Sequence, residues 1–132
     1  MLIHFPIALW PAHAGLHLCT RILPAGTEVV AFWLLAVGTV LGWLAAFAGM
    51  SDVLRELKTG LPWPPSRVIA HAAVNGSVLT GFTALAAWET KTYPHLIIGW
   101  VALSIELALL VTMVAGNYLG GALVWGYHKR NV

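Results

Sequence analysis

Four apolar stretches, separated by short polar segments, dominate the chain. The first runs from about Pro6 to Leu23 and the second from about Val29 to Met50 (VVAFWLLAVGTVLGWLAAFAGM). The third runs from about Val68 to Trp88 and the fourth from about Leu96 to Leu119, with a continuation toward Trp125. A helix needs about 20 mostly apolar residues to cross a bilayer. The pattern therefore predicts an all-α, four-helix transmembrane bundle over residues 1–132, as a single domain with antiparallel neighbours.

The polar segments read as connections. RILPAGTE joins spans one and two, and ETKTYPH joins three and four. SDVLRELKTGLPWPPSR joins two and three, and its Pro62, Pro64 and Pro65 end any helix inside it. Pro6 suits the first turn of its helix, where a missing N–H costs nothing. Pro11 falls deeper and is expected to kink or loosen span one. Gly38 and Gly42 form a small-xxx-small pair on span two, which predicts close helix packing.

Composition agrees with the pattern. The chain is 59% hydrophobic and 9% charged, with mean hydropathy +0.81, where a soluble domain carries about 25% charged residues. Seven scattered basic residues do not make a nucleic-acid surface. The single cysteine, Cys19, excludes an internal disulfide, and there is no Cys-x-x-Cys-His for covalent haem attachment. Ala12-His13-Ala14 imitates a signal-peptide cleavage site, but no Lys or Arg precedes the apolar run, so span one is read as retained.

Charge sets the expected orientation. Four spans put both termini and the middle connection on one side, with Arg55, Lys58, Arg67, Lys129 and Arg130, against Arg21 and Lys91 on the other. The positive-inside rule then places both termini in the cytoplasm. The expected location is a multi-pass protein of a bacterial-type inner membrane.

Six histidines fall into two layers on this topology. His4, His71 and His128 lie toward the terminal side. His13, His17 and His95 lie toward the other. Two layers of imidazole in a helical bundle are the pattern of membrane b-type haem sites, where iron takes axial ligands from facing helices. The pairing expected in the first layer is His4 with His71, and in the second His17 or His13 with His95. At about 100° per residue His13 and His17 share a helix face, while His4 lies about 140° from His17 unless its position ahead of Pro6 takes it out of helical phase. Asn75, four residues after His71, is placed to hydrogen-bond it. Gly15 and Gly99 remove bulk where a flat cofactor would sit. The plainer alternative is that interfacial histidines bond backbone or headgroups and hold nothing. On that reading His95 is a loop residue and His128 a solvated tail residue.

Glu106 is the one charge deep inside a predicted span, and an acid at that depth is costly. His95, Glu106, Asn117 and His128 recur every 11 residues, about three helical turns, and so form a slowly drifting polar stripe. The stripe is read either as a proton path, with Glu106 bonding a ligand histidine or a quinone, or as a protonated acid bonded to a neighbouring helix.

Four pieces carry a family resemblance: HFPIAL (His4 to Leu9), AGMSD (Ala48 to Asp52), HAAVN (His71 to Asn75) and the ending GNYLGGALVWGYHKRNV. In order and spacing the whole chain resembles an uncharacterised four-helix membrane family, a "domain of unknown function", whose members open with His-Phe-Pro-Ile, carry His-Ala-x-x-Asn and end near Gly-Gly-x-Leu-Val-Tyr. Its architecture is similar to that of the two-haem cytochrome b bundles. The resemblance implies His4 and His71 as the family histidines, with Asn75 beside the latter and the Gly-Gly at Gly120 and Gly121. Here Trp125 stands in place of the usual Tyr. His13, His17 and Glu106 lie outside the family pattern.

The expected function is a small b-type cytochrome-like electron-transfer subunit. It has haem b on His4 and His71, a second haem on His17 and His95, and Glu106 as a proton or hydrogen-bond group. Its expected partners are the lipid bilayer, partner subunits or a second copy, and quinone. An independent enzyme is not expected at this size. The alternatives are a cofactor-free anchor or assembly subunit and a small metal or proton transporter.

Overall fold

A computed structural model describes residues 4–19, 22, 25–59, 65–93 and 99–128, and of these the side chains of all but 4, 59, 65 and 124–128. The described residues form four α-helices and no strand: α1 (His4–Cys19), α2 (Thr27–Thr59), α3 (Pro65–Thr92) and α4 (Trp100–His128). Three of them, α2, α3 and α4, are long and apolar enough to cross a membrane. The fourth, α1, has 16 residues, about 24 Å at 1.5 Å per residue.

The helix bounds depart from the apolar stretches in instructive places. α2 has 33 residues, about 50 Å, and runs on through SDVLRELKT, which the sequence reading assigned to a connection. Its Leu54, Arg55, Glu56, Leu57 and Lys58 are good helix formers, and Asp52 and Arg55 pair at i, i+3 with 3.2 Å between Oδ1 and Nη2. α3 starts on Pro65, where a proline's fixed φ is already helical, and continues past Trp88 to Thr92. α1 begins at His4 and stays helical through Pro11, so His4 keeps the helical phase of its neighbours. The side chain of His4, the whole of His95 and the side chain of His128 lie outside the described residues.

Entry into α2 is set by Gly26, whose φ of +96° lies in the left-handed region that suits glycine. Its N–H donates to Glu28 Oε2 at 3.1 Å, placing a carboxylate in the first turn of α2. Inside α3 and α4, four hydroxyls are satisfied locally. Thr80, Thr83, Ser104 and Thr112 each donate to the carbonyl four residues back at 2.7–2.8 Å. This removes the cost of a polar group facing an apolar surround.

The helices form a ring in chain order. α1 packs on α2 and α4, α3 packs on α2 and α4, and α1 and α3 lie on the diagonal. The centre is filled by Trp10, Leu35, Val78, Leu79, Phe82, Leu85 and Met113. Trp10 and Phe82 stack across the diagonal, with ring centroids 4.2 Å apart and planes 13° apart. Gly38 and Gly42 make room for this stack: a Cβ on Gly38 would lie 3.0 Å from the Trp10 ring, and one on Gly42 would lie 2.9 Å from Leu79 and 3.3 Å from Trp10. With lipid outside there is little hydrophobic drive between helices, so the close fit and its dispersion attraction hold them together. The outward faces carry large apolar side chains, among them Val37, Val40, Phe47, Val111 and Val114.

Candidate functional site

Each helix buries one stripe, and titratable residues break into three of the four. On α1 the stripe reads Pro6, Trp10, His13, His17 at steps of four, three and four. On α3 it reads Val78, Phe82, Leu85, Glu89 at the same steps. On α4, Glu106 follows Leu103 and precedes Met113 on one face. The helical repeat thus carries two imidazoles and two carboxylates into the bundle beside one another, one to two turns beyond the Trp10–Phe82 stack.

There they meet. His13, His17 and Glu106 have no side-chain exposure, and the side chain of Glu89 is 11% exposed. His13 Nε2 lies 3.5 Å from Glu89 Oε1 and 3.6 Å from Glu106 Oε1. His17 Nε2 lies 3.4 Å from Glu89 Oε1, and His17 Nδ1 lies 2.8 Å from Glu106 Oε1. The two imidazole rings are 3.9 Å apart, centre to centre, and tilted by 54°. One ligand atom from each of the four residues fits within a spread of 4.8 Å.

Hydrogen bonds orient both rings. His13 Nδ1–H donates to the backbone carbonyl of Ala31 on α2 at 2.9 Å, which leaves the lone pair on Nε2. His17 Nδ1–H donates to Glu106 Oε1 at 2.8 Å, with the same consequence. A histidine whose second nitrogen is fixed by a carbonyl or carboxylate is the arrangement that metal-binding imidazoles adopt. His13 Nε2, Glu89 Oε2 and Glu106 Oε2 are buried and make no hydrogen bond. Buried polar atoms without partners are expensive, and a cation held by His13 Nε2 and a neighbouring carboxylate would lower that cost. A tetrahedral centre with bonds of about 2.1 Å has edges of about 3.4 Å, close to the three longer separations in the cluster.

The residues singled out in the sequence divide between two places. His17 and Glu106 join this cluster, together with His13. His71 and Asn75 lie elsewhere, on the α3–α4 contact. His71 Nδ1 is 3.1 Å from the Gly116 carbonyl, and Asn75 Nδ2 donates to the His71 carbonyl at 2.9 Å and lies 3.1 Å from His71 Nδ1. Glycine on α4 admits both side chains: a Cβ on Gly116 would come within 2.7 Å of Asn75, and one on Gly120 within 2.6 Å of the His71 ring. Gly15 has nothing within 4 Å of a Cβ position and is exposed on the outside of α1. Glu89 is the site residue that the apolar pattern does not mark, because ETKTYPH has the composition of a connection. The signal available was its place four residues after Leu85 and seven after Phe82.

The family model for "predicted membrane protein (DUF2231)" matches residues 1–132, and the chain belongs to that family. No curated protein and no solved structure matches it.

Proposed function

We propose that this member of the family is a membrane metalloprotein that holds a first-row divalent transition metal among His13, His17, Glu89 and Glu106. The observation that carries the reading is the convergence of four ligand-capable side chains from three helices, with His13 Nε2 and one oxygen of each carboxylate buried and unpartnered. Mixed imidazole and carboxylate donors suit zinc, iron or manganese, whereas calcium and magnesium take oxygen ligands throughout. Charge supports it too. Two carboxylates at membrane depth are costly alone, and one divalent cation with two neutral imidazoles balances them. The metal would supply Lewis-acid or one-electron chemistry. The protein's part is to orient the two rings and to exclude water with the Trp10–Phe82 layer. Metal analysis of the detergent-purified chain tests this. A stoichiometric equivalent in the wild type, lost in His13→Ala and in His17→Ala, is the expected result. Metal no higher in the wild type than in these variants after reconstitution overturns it.

A second reading keeps the b-type haem, with His4 and His71 as axial ligands in an electron-transfer subunit exchanging electrons with quinone or a partner protein. One observation favours it. In the tautomer whose Nδ1–H donates to the Gly116 carbonyl at 3.1 Å, half-buried His71 keeps its Nε2 lone pair for iron. On this reading His17 and Glu106 belong to the metal cluster rather than to a second haem. A reduced-minus-oxidised absorption spectrum decides it: a sharp b-type α band abolished by His71→Ala is expected, and no Soret band in protein made with ample haem removes the reading. On either reading the chain sits in the bilayer as a multi-pass protein.

A further inference from the structure

The four residues of the metal cluster are not equivalent, and their geometry separates ligands from support. The 2.8 Å between His17 Nδ1 and Glu106 Oε1 is the length of a charge-assisted N–H···O bond. It is shorter than the edge of about 3.4 Å between two ligands of a tetrahedral metal, so a proton lies between these atoms. His17 therefore turns Nε2 toward Glu89 Oε1 at 3.4 Å, and His13 turns its own Nε2 toward the same oxygen at 3.5 Å. Each ring is held from behind at Nδ1, one by Ala31 and the other by Glu106. Glu89 is also the one member of the four with any side-chain exposure, and it lies near the end of α3, three residues before Thr92.

Building on the metal reading above, we infer that His13 Nε2, His17 Nε2 and Glu89 are the protein ligands. Glu106 is a positioning residue for His17, and the fourth coordination position is open, beside Glu89, to a small exogenous donor such as water or an anion. Three protein ligands with one exchangeable position mark a reactive zinc-type site, whereas a structural site is closed by four. The arrangement that competes with this one has Glu106 as the fourth ligand, since its Oε1 is also 3.6 Å from His13 Nε2.

Cobalt(II) substitution of the full-length chain in detergent separates the two, because the d–d bands report ligand number and type. Glu106→Gln keeps an acceptor oxygen of the same shape. It is expected to retain the wild-type band pattern while binding cobalt about 10- to 100-fold more weakly, the usual effect of losing an outer partner. Glu89→Gln is expected to change the bands themselves, and azide is expected to shift the bands of the wild type. Bands altered as much by Glu106→Gln as by Glu89→Gln, or a wild-type spectrum indifferent to azide, overturn the open three-ligand site. A wild-type chain that takes up no cobalt overturns the metal reading itself. Helical circular dichroism of each variant confirms that the comparison is between folded proteins.

Discussion

His17 Nδ1 and Glu106 Oε1 stand 2.8 Å apart although 89 positions separate them in the chain. The bond ties α1 to α4 at a level where neither side chain reaches water. Neither group would rest there alone. A buried charge is tolerated when paired and hydrogen-bonded, and removing one partner leaves the other exposed to the full desolvation cost.

Metal binding should be visible as stability. A ligand that binds only the folded state stabilises it by about 2.7 kcal/mol at 100 times its dissociation constant. Thermal melts of the detergent-solubilised wild type should shift upward with added zinc or manganese, and those of His13→Ala should not. Equal shifts in both proteins would show that the metal acts elsewhere.

The α3–α4 contact should depend on missing side chains. Gly116→Ala and Gly120→Ala each push a methyl group into Asn75 or His71, and overpacking of this kind costs about 1–3 kcal/mol. Gly121→Ala meets nothing within 4 Å and should be neutral or slightly stabilising through helix propensity. Unfolding in mixed micelles measures all three, and a Gly121→Ala as damaging as its neighbours would refute the packing argument.

Trp10 should be the most expensive apolar residue to truncate. Its ring stacks on Phe82, lies against Gly38 and Gly42, and is 4% exposed. Trp10→Ala should cost about 3–5 kcal/mol. Because the ring lies directly under the cluster, the variant should also weaken metal binding. Unfolding and metal affinity measured on the same variant test both halves.

The turn before α2 offers a local test. Gly26 sits at φ +96° with open space around it, so Gly26→Ala is opposed by backbone strain alone. A loss of about 1 kcal/mol is expected, against no loss for Gly15→Ala on the exposed face of α1.

Hydropathy alone was enough to read four helices and a membrane setting, because apolar runs of this length have few other uses. Two members of the cluster were also placed on one face by local spacing, since His13 and His17 are four residues apart, and Glu106 stood out as a charge among apolar neighbours. Glu89 did not, because Glu-Thr-Lys-Thr-Tyr-Pro has the composition of a connection. Only packing against α1 and α4 shows that α3 carries its buried stripe one turn further. No sequence feature marks the Ala31 carbonyl as the acceptor for His13, since every residue has a carbonyl and the neighbouring helix selects one. The same holds for His71, whose ring fits on α4 because Gly116 and Gly120 leave a notch there. Periodicity fixes which face of a helix is buried. Which faces meet, and at what height, follows from how four rods of different length share one core, and that alone turned scattered histidines and acids into a candidate metal centre.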